Sequence, residues 1–115
     1  MLPIIISNRL TGKLLPLIGA GGIALFPFVF LIPAHNTPIV QNHEAIHIRQ
    51  QAEEWIFLFY ARYLYFWLSG RRKGLSWNEA YRAIPYEIEA YANEENLSYL
   101  SHRPKMAWRK YSFES

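Results

Sequence analysis

A helical pattern extends from Ile39 to Ser69 without a single glycine or proline, and it constrains the fold more than any other part of the chain. Pro38 precedes it, at a position that suits the first turn of a helix. Gly70 follows it as a natural C-terminal stop. The pattern therefore predicts one long helix over these residues.

The two halves of this predicted helix differ in character. Up to Glu54 the pattern is amphipathic, whereas the following sequence, WIFLFYARYLYFWL, is apolar on nearly every face and is interrupted only by Arg62. A helix that is apolar all round is buried in a core, in an oligomer interface or in a membrane. This one is too short to span a bilayer alone, but its aromatic residues and the basic residues 71–73 are typical of a membrane surface. A membrane surface or a second copy of the chain is therefore an expected partner.

The N-terminal third favours β structure. Residues 14–34 are uncharged and long enough for a membrane-spanning helix, but three prolines and three glycines would break such a helix repeatedly. Two short β segments are predicted instead, around Leu2–Ser7 and Ile23–Ile32. Pro27 would confine the second segment to a sheet edge, where its missing N–H is harmless.

Shorter helices are predicted in the C-terminal part. Ser76 and Glu79 have the spacing of a capping box, which begins a short helix ending near Ala83. Pro85 suits the first turn of another helix, from Tyr86 to about Leu100, and a last short helix follows the proline at 104. The sequence thus predicts a single α+β domain over residues 1–115, mostly helical, with a short N-terminal β edge and a long active-site helix.

Composition excludes several classes of site. The chain has no cysteine, so disulfides, thiolate zinc sites and cysteine nucleophiles are impossible. All acidic residues are glutamates, which excludes an aspartate dyad and a Ser-His-Asp triad. The net charge is +3, with basic clusters at residues 71–73 and 103–110, but these do not interleave with aromatic residues as in known nucleic-acid modules. No nucleic-acid partner is expected.

The sequence HEAIH places two histidines four residues apart on the predicted long helix. His43 and His47 would share one face, so that both imidazoles could reach one zinc ion at about 2.0–2.1 Å. Glu44 follows His43 directly and would lie beside a metal-bound water, where it could act as general base. The same letters also fit an ordinary solvated helix turn, so a third ligand is needed to distinguish the two interpretations.

The acid-rich sequence PYEIEAYANEE is the natural source of that third ligand. Glu87 and Glu89 are two residues apart, so on a helix they point to roughly opposite faces and cannot both ligate easily. From the residues alone, either glutamate could complete the site.

Together, HEAIH and EIEAYANE resemble the glutamate-type zincin metallopeptidases, in which HExxH is completed by a glutamate from a later helix. Similar pairs of motifs occur in CAAX-prenyl and Oma-type peptidases and in small bacterial proteins carrying NHE-x-IH-x-RQQ and E-x-EAYANE. The resemblance implies Glu87 as the ligand and Glu89 as the alternative. It makes Ala90 a small packing residue and places Tyr91 beside a ligating histidine, where the family usually has Asp or Asn. Arg49 also departs from the family, which has a hydrophobic residue there.

The resemblance also implies the activity: zinc-dependent hydrolysis of a peptide or protein substrate, cytoplasmic or at the membrane periphery of a bacterium. In such enzymes the substrate lies along a sheet edge, which the second β segment could supply. The alternative function is a non-catalytic protein, associated with a membrane or partner, whose metal site is structural or absent.

The remaining polar residues are interpreted more simply. His35 and His102 are expected to be structural or solvated. Tyr81, Tyr86 or Tyr91 could donate to an oxyanion, although core packing is the commoner role of a tyrosine. Four residues are expected on the solvent side of the long helix: Gln50, Gln51, Glu53 and Glu54.

Overall fold

Three short strands form a mixed sheet in the order β1-β3-β2. The computed structural model describes residues 3–18 and 20–111, and the strands are β1 (Ile4–Ile6), β2 (Gly22–Leu25) and β3 (Phe28–Leu31). β1 runs parallel to β3, and β2 pairs with β3 as an antiparallel hairpin. The predicted N-terminal strand is thus confirmed as β1, except that Leu2 lies outside the described residues. β2 is an edge of the sheet.

The prediction of one strand over Ile23–Ile32 is wrong, because a hairpin turn divides it. The Phe26–Pro27 peptide is cis and lies in the turn between β2 and β3. Pro27 therefore does not occupy an edge strand. The turn is held from outside the sheet, where the Phe26 N–H donates to the Gln51 side chain at 2.8 Å.

The rest of the chain is mostly helical, so the predicted α+β class is confirmed. Between β1 and β2 lie helix α1 and a short 3-10 helix, neither of which is evident from the sequence pattern. The later helices lie between short loops. The helices are α1 (Arg9–Leu14), α2 (Pro38–Glu53), α3 (Phe57–Arg72), α4 (Trp77–Arg82), α5 (Pro85–Asn93) and α6 (Tyr99–His102), with 3-10 turns at Leu15–Ile18, Pro33–His35 and Ala107–Tyr111.

The prediction of one long helix over residues 39–69 is wrong, because the chain reverses between α2 and α3. The Ile56 N–H donates to the Gln51 carbonyl at 2.8 Å, and Trp55 adopts φ +54°. This is the pattern of a Schellman C-cap, in which glycine usually occupies the left-handed position. Tertiary contacts support the break: the Glu54 carboxylate, expected at the surface, is buried between the Tyr86 hydroxyl and the Arg62 guanidinium.

Replacing Trp55 by glycine is expected to preserve the fold and raise the free energy of unfolding by up to about 1 kcal/mol. A side chain in the left-handed region costs about 1–2 kcal/mol, part of which is offset by the greater entropy of glycine in the unfolded chain. The Trp55 side chain is 85% exposed and contributes little packing. Urea unfolding followed by circular dichroism measures the change, with Tyr65→Gly as the control at an exposed position in the middle of α3, where destabilisation is expected. A destabilised Trp55→Gly variant would contradict this account of the break.

Two glycines lie near the far end of α3, and the prediction that Gly70 ends the helix is wrong. Gly70, the predicted stop, lies inside the helix, where a Cβ would approach Ala80 Cβ to 3.1 Å. It therefore permits the close contact of α3 with α4. The stop is Gly74, with φ +92°. The Ser76–Glu79 capping box that begins α4 is confirmed.

The helix predicted from Tyr86 to about Leu100 is also two helices. α5 ends at Asn93 because a side chain from α2 takes its last carbonyls: Asn42 Nδ2 donates to the carbonyls of Asn93, Glu94 and Asn96 at 3.3, 2.8 and 3.0 Å. This contact fixes the end of α5 next to His43.

Two buried apolar clusters form the core of the protein. One joins the sheet to α2, and the other joins α3, α5 and the C-terminal 3-10 turn. Their buried members are Ala24, Val29, Leu31 and Ile48 in the first, and Phe59, Ile84, Tyr86 and Trp108 in the second. No helix among the described residues is both long and apolar enough to cross a membrane.

Candidate metal centre

Helix α2 presents His43 and His47 on one buried face, as the spacing in HEAIH predicts. Thr37 caps this helix, and Pro38 occupies its first turn. Both imidazoles are almost inaccessible to solvent, at 6% and 5% exposure, and their Nε2 atoms lie 3.2 Å apart. The two rings thus converge on one point inside the protein.

Glu87 lies opposite the histidines, in the first turn of α5. Its Oε1 atom is 3.3 Å from His43 Nε2 and 3.1 Å from His47 Nε2. All three ligand atoms lie within 4.8 Å of one another. A tetrahedral zinc site with bonds near 2.1 Å places neighbouring ligand atoms about 3.4 Å apart, so the donor set and its spacing both fit zinc.

Each of these three side chains is held at its outer atom by a further residue. Glu94 accepts the hydrogen bond of His43 Nδ1 at 2.7 Å, and Gln50 Oε1 accepts that of His47 Nδ1 at 2.8 Å. These bonds fix the ring tautomers and leave each Nε2 lone pair directed inward.

The carboxylate of Glu87 is fixed in the same way. The Tyr63 hydroxyl donates to its Oε2 atom at 2.7 Å, which leaves Oε1 facing the histidines. Partners of this kind orient ligands and are a regular part of metal sites in proteins.

The electrostatics of the centre favour a positive charge between these side chains. Burial disfavours the charged imidazole of His47, but the Glu87 carboxylate outweighs it and raises the pKa of His47 to about 9. Burial alone would raise the pKa of Glu87, yet the histidines and the Tyr63 hydroxyl hold it far below its ordinary value. A site that attracts a proton this strongly also suits a metal cation, which competes for the same lone pairs.

Glu44 lies beside this group and belongs to no ligand cluster among the described residues. Its side chain lines two adjoining cavities, of about 1030 and 240 Å³, of which the smaller reaches His47 and Glu87. Burial raises the pKa of Glu44, which the charges of the two histidines partly oppose. It therefore combines access to the cleft with a stronger proton affinity than an exposed glutamate has.

The two cavities form one cleft between the sheet and the α3–α4 pair. Aromatic side chains of α3 and α4 line one wall of the cleft, and glycines lie on the sheet side. The residues that line both cavities are Gly22, Glu44, Tyr60, Tyr63 and Tyr81. The smaller cavity is lined by the candidate ligands His47 and Glu87, and the larger one by His43.

The structure separates the two glutamates that the sequence left as alternatives. Glu87 faces the histidines, whereas Glu89 is fully buried on the other side of α5. There it accepts hydrogen bonds from Arg103 and Tyr99, and from Gln50 Nε2 at 2.9 Å. Glu89 is thus outside the cluster but supports it, because it anchors the amide that holds His47.

Tyr91 contacts His43 without the hydrogen bond that the resemblance implies. Its ring packs edge-on against the imidazole at 4.5 Å, and its hydroxyl pairs with that of Tyr81 at 2.9 Å. Glu94 makes the hydrogen bond instead. Tyr81 and Tyr91 both line the larger cavity, whereas Tyr86 is fully buried in the core.

The interpretation of Gln50, Gln51, Glu53 and Glu54 as the solvent side of the helix is wrong. Gln50, Gln51 and Glu54 are at most 1% exposed, and Glu53 pairs with Arg103 at 2.8 Å. They are buried because the sheet, α5 and the C-terminal segment cover this end of the helix. His35 and His102 are exposed, as expected, and His35 lies at the rim of the larger cavity.

Of three further residues around the centre, two carry faint signals in the sequence and one carries none. Glu94 is seven positions after Glu87 and so shares its helix face, and Gln50 is three after His47. Tyr63 belongs to another helix, and the sequence gives no signal for its role.

Comparisons with protein-family models, curated proteins and solved structures find no match for this chain.

Proposed function

We propose that the protein is a zinc metallopeptidase of the glutamate-ligand zincin type, with His43, His47 and Glu87 holding the metal. The observation that carries the proposal is the position of Glu44. It lines the cleft beside the convergent ligand atoms, where a purely structural metal site would have no use for a half-buried acid of raised pKa.

Separate residues of the chain would act in proton transfer and in holding the metal ligands. A zinc ion supplies a Lewis acid that polarises the peptide carbonyl and lowers the pKa of a bound water. Glu44 accepts a proton from the attacking water as the new C–O bond forms. It then gives that proton to the leaving amine as the C–N bond breaks. Gln50, Glu94 and Tyr63 keep the ligands in position throughout.

The free edge of β2 offers a binding line for an extended peptide. The Ile32 N–H donates to the Gly21 carbonyl at 3.0 Å, which fixes the register of the hairpin. In that register the backbone groups of Gly22 and Ala24 turn away from β3, toward the free edge.

Only part of this edge is open to a substrate. The Ala24 carbonyl already accepts from Gln51 Nε2 at 2.8 Å and from the Tyr60 hydroxyl at 3.2 Å. Gly22 lies at the cleft, and Glu44 Oε2 is 3.9 Å from the position that a Cβ atom on Gly22 would occupy. A peptide strand would therefore pair at Gly22, which brings its carbonyl group near Glu44.

Metal analysis and a peptide library test the proposal together. Protein purified without chelator is expected to contain about one equivalent of zinc and to cleave members of the library, as detected by mass spectrometry. Removing the metal should stop cleavage, and adding zinc back should restore it. A zinc content below about half an equivalent would contradict the metal site. Full cleavage by the metal-free protein would contradict the mechanism.

A further inference from the structure

The outer face of α3 is apolar and exposed along the whole helix. Its exposed members recur with helical spacing: Phe57, Leu58, Ala61, Leu64, Tyr65 and Leu68. Phe57 is 85% exposed and Leu64 is 56% exposed. A continuous apolar stripe of this kind marks a surface that contacts something else.

Basic residues close one end of this outer face. Arg71, Arg72 and Lys73 are all exposed where α3 ends. From Trp55 to Lys73 there is no acidic residue. The surface of α3 therefore combines exposed apolar side chains with a positively charged end.

Exposed tryptophans lie near both ends of the same surface. Trp55 immediately precedes α3, and Trp77 begins α4, where its ring packs on Trp67 at 4.9 Å. They are 85% and 71% exposed. Tryptophan is the residue most typical of the boundary between lipid and water, together with tyrosine and flanking basic residues.

The charge pattern favours a lipid surface over a second copy of the chain. In a second copy docked through the same face, α3 itself would bring no carboxylate to pair with the basic end. Anionic phospholipid headgroups supply that charge, and each basic residue near them strengthens binding by about fivefold.

From this pattern we infer that the outer face of α3 docks on an anionic membrane surface, with the helix lying in the plane of the interface. Tyr60 and Leu64 of the same helix also line the larger cavity, so docking places the cleft beside the membrane. Polypeptide held at the membrane surface is then the substrate class, and this last step rests on the proposed function.

Vesicle flotation tests docking directly. The full chain is mixed with vesicles of phosphatidylcholine alone or with one quarter phosphatidylglycerol, at low and at high salt. Binding is expected only to the anionic vesicles and should weaken as salt rises. Absence of binding to the anionic vesicles at low salt would overturn the inference.

Two variants and two matched controls locate the surface. Phe57→Ser/Leu68→Ser should weaken binding at least about 30-fold, because two exposed apolar side chains no longer enter the lipid. Leu97→Ser, also exposed at 60% but on the α5–α6 loop, should leave binding unchanged. Arg72→Gln/Lys73→Gln should weaken it about 30-fold, and Lys105→Gln/Lys110→Gln should not. Equal losses in variant and control would overturn the assignment of the surface.

Oligomeric state and zinc content, measured on the same samples, separate the other outcomes. The unchanged protein could instead be a dimer that does not bind vesicles, and Phe57→Ser/Leu68→Ser could convert it to a monomer. That result would show that the outer face of α3 is an interface between copies, and it would overturn membrane docking. Vesicle binding needs neither metal nor hydrolysis. Loss of docking with zinc and cleavage intact would therefore refute this inference alone, and docking without zinc would refute the proposed function alone.

Discussion

The Glu44→Gln variant is expected to lose peptide hydrolysis by about 100- to 10,000-fold while it keeps about one equivalent of zinc. Glutamine has the same size but cannot accept the proton of the attacking water. Glu44 is outside the ligand cluster, so its charge is not needed to hold the metal. Cleavage of a peptide library and zinc content, measured on the same preparation, give the two values.

Glu95→Gln is the matched control for this substitution. Glu95 is exposed and lies outside the cleft, so its loss removes the same charge without touching the centre. Hydrolysis by that variant should equal that of the unchanged protein. Full hydrolysis by Glu44→Gln would refute its role as general base. Bound zinc without cleavage in the unchanged protein would favour the alternative of a structural metal site.

The second large effect is a contrast between two neighbouring glutamates. Glu87→Gln should weaken zinc binding at least about 100-fold, because the carboxylate that faces both histidine Nε2 atoms becomes a neutral amide. The free energy of unfolding should change much less in this variant than in Glu89→Gln. A competition titration with a chromogenic chelator measures the change in affinity.

Glu89→Gln should do the opposite: it should lower stability strongly and zinc affinity only slightly. Its carboxylate is the main partner of buried Arg103, so the free energy of unfolding should fall by about 3 kcal/mol. Zinc affinity should fall by at most about tenfold, through the looser Gln50 amide that holds His47. Urea unfolding and the same chelator titration measure both. If Glu89→Gln lost zinc and Glu87→Gln kept it, the proposed ligand set would be wrong.

The fold could be predicted from sequence where contacts between residues a few positions apart determine the structure. The Ser76–Glu79 capping box, Pro85 at the first turn of α5 and the helix around HEAIH all follow from contacts three or four residues apart. The reversal at Trp55 does not. No glycine or proline announces it, and it depends on Glu54 meeting a tyrosine more than thirty residues away in the sequence.

The candidate site divides in the same way. Spacing alone places His43 and His47 on one helix face and Glu44 beside them, and it sets Glu87 and Glu89 on opposite sides of α5. Only tertiary packing determines which side of α5 faces the histidines. Arg103 pairs with Glu89, and Glu87 lies opposite the histidines.

The sequence by itself determined the helix that carries HEAIH, the absence of thiolate ligands and the choice of glutamate as the only acidic side chain. The tertiary structure decided which polar residues are buried. Gln50, Gln51 and Glu54 look like a wet helix face in the sequence, yet each is enclosed because a distant segment supplies its hydrogen-bond partner. Burial of a polar group requires such a partner. Partners distant in the sequence are brought together only by the packing of the sheet and helices, which local periodicity does not encode.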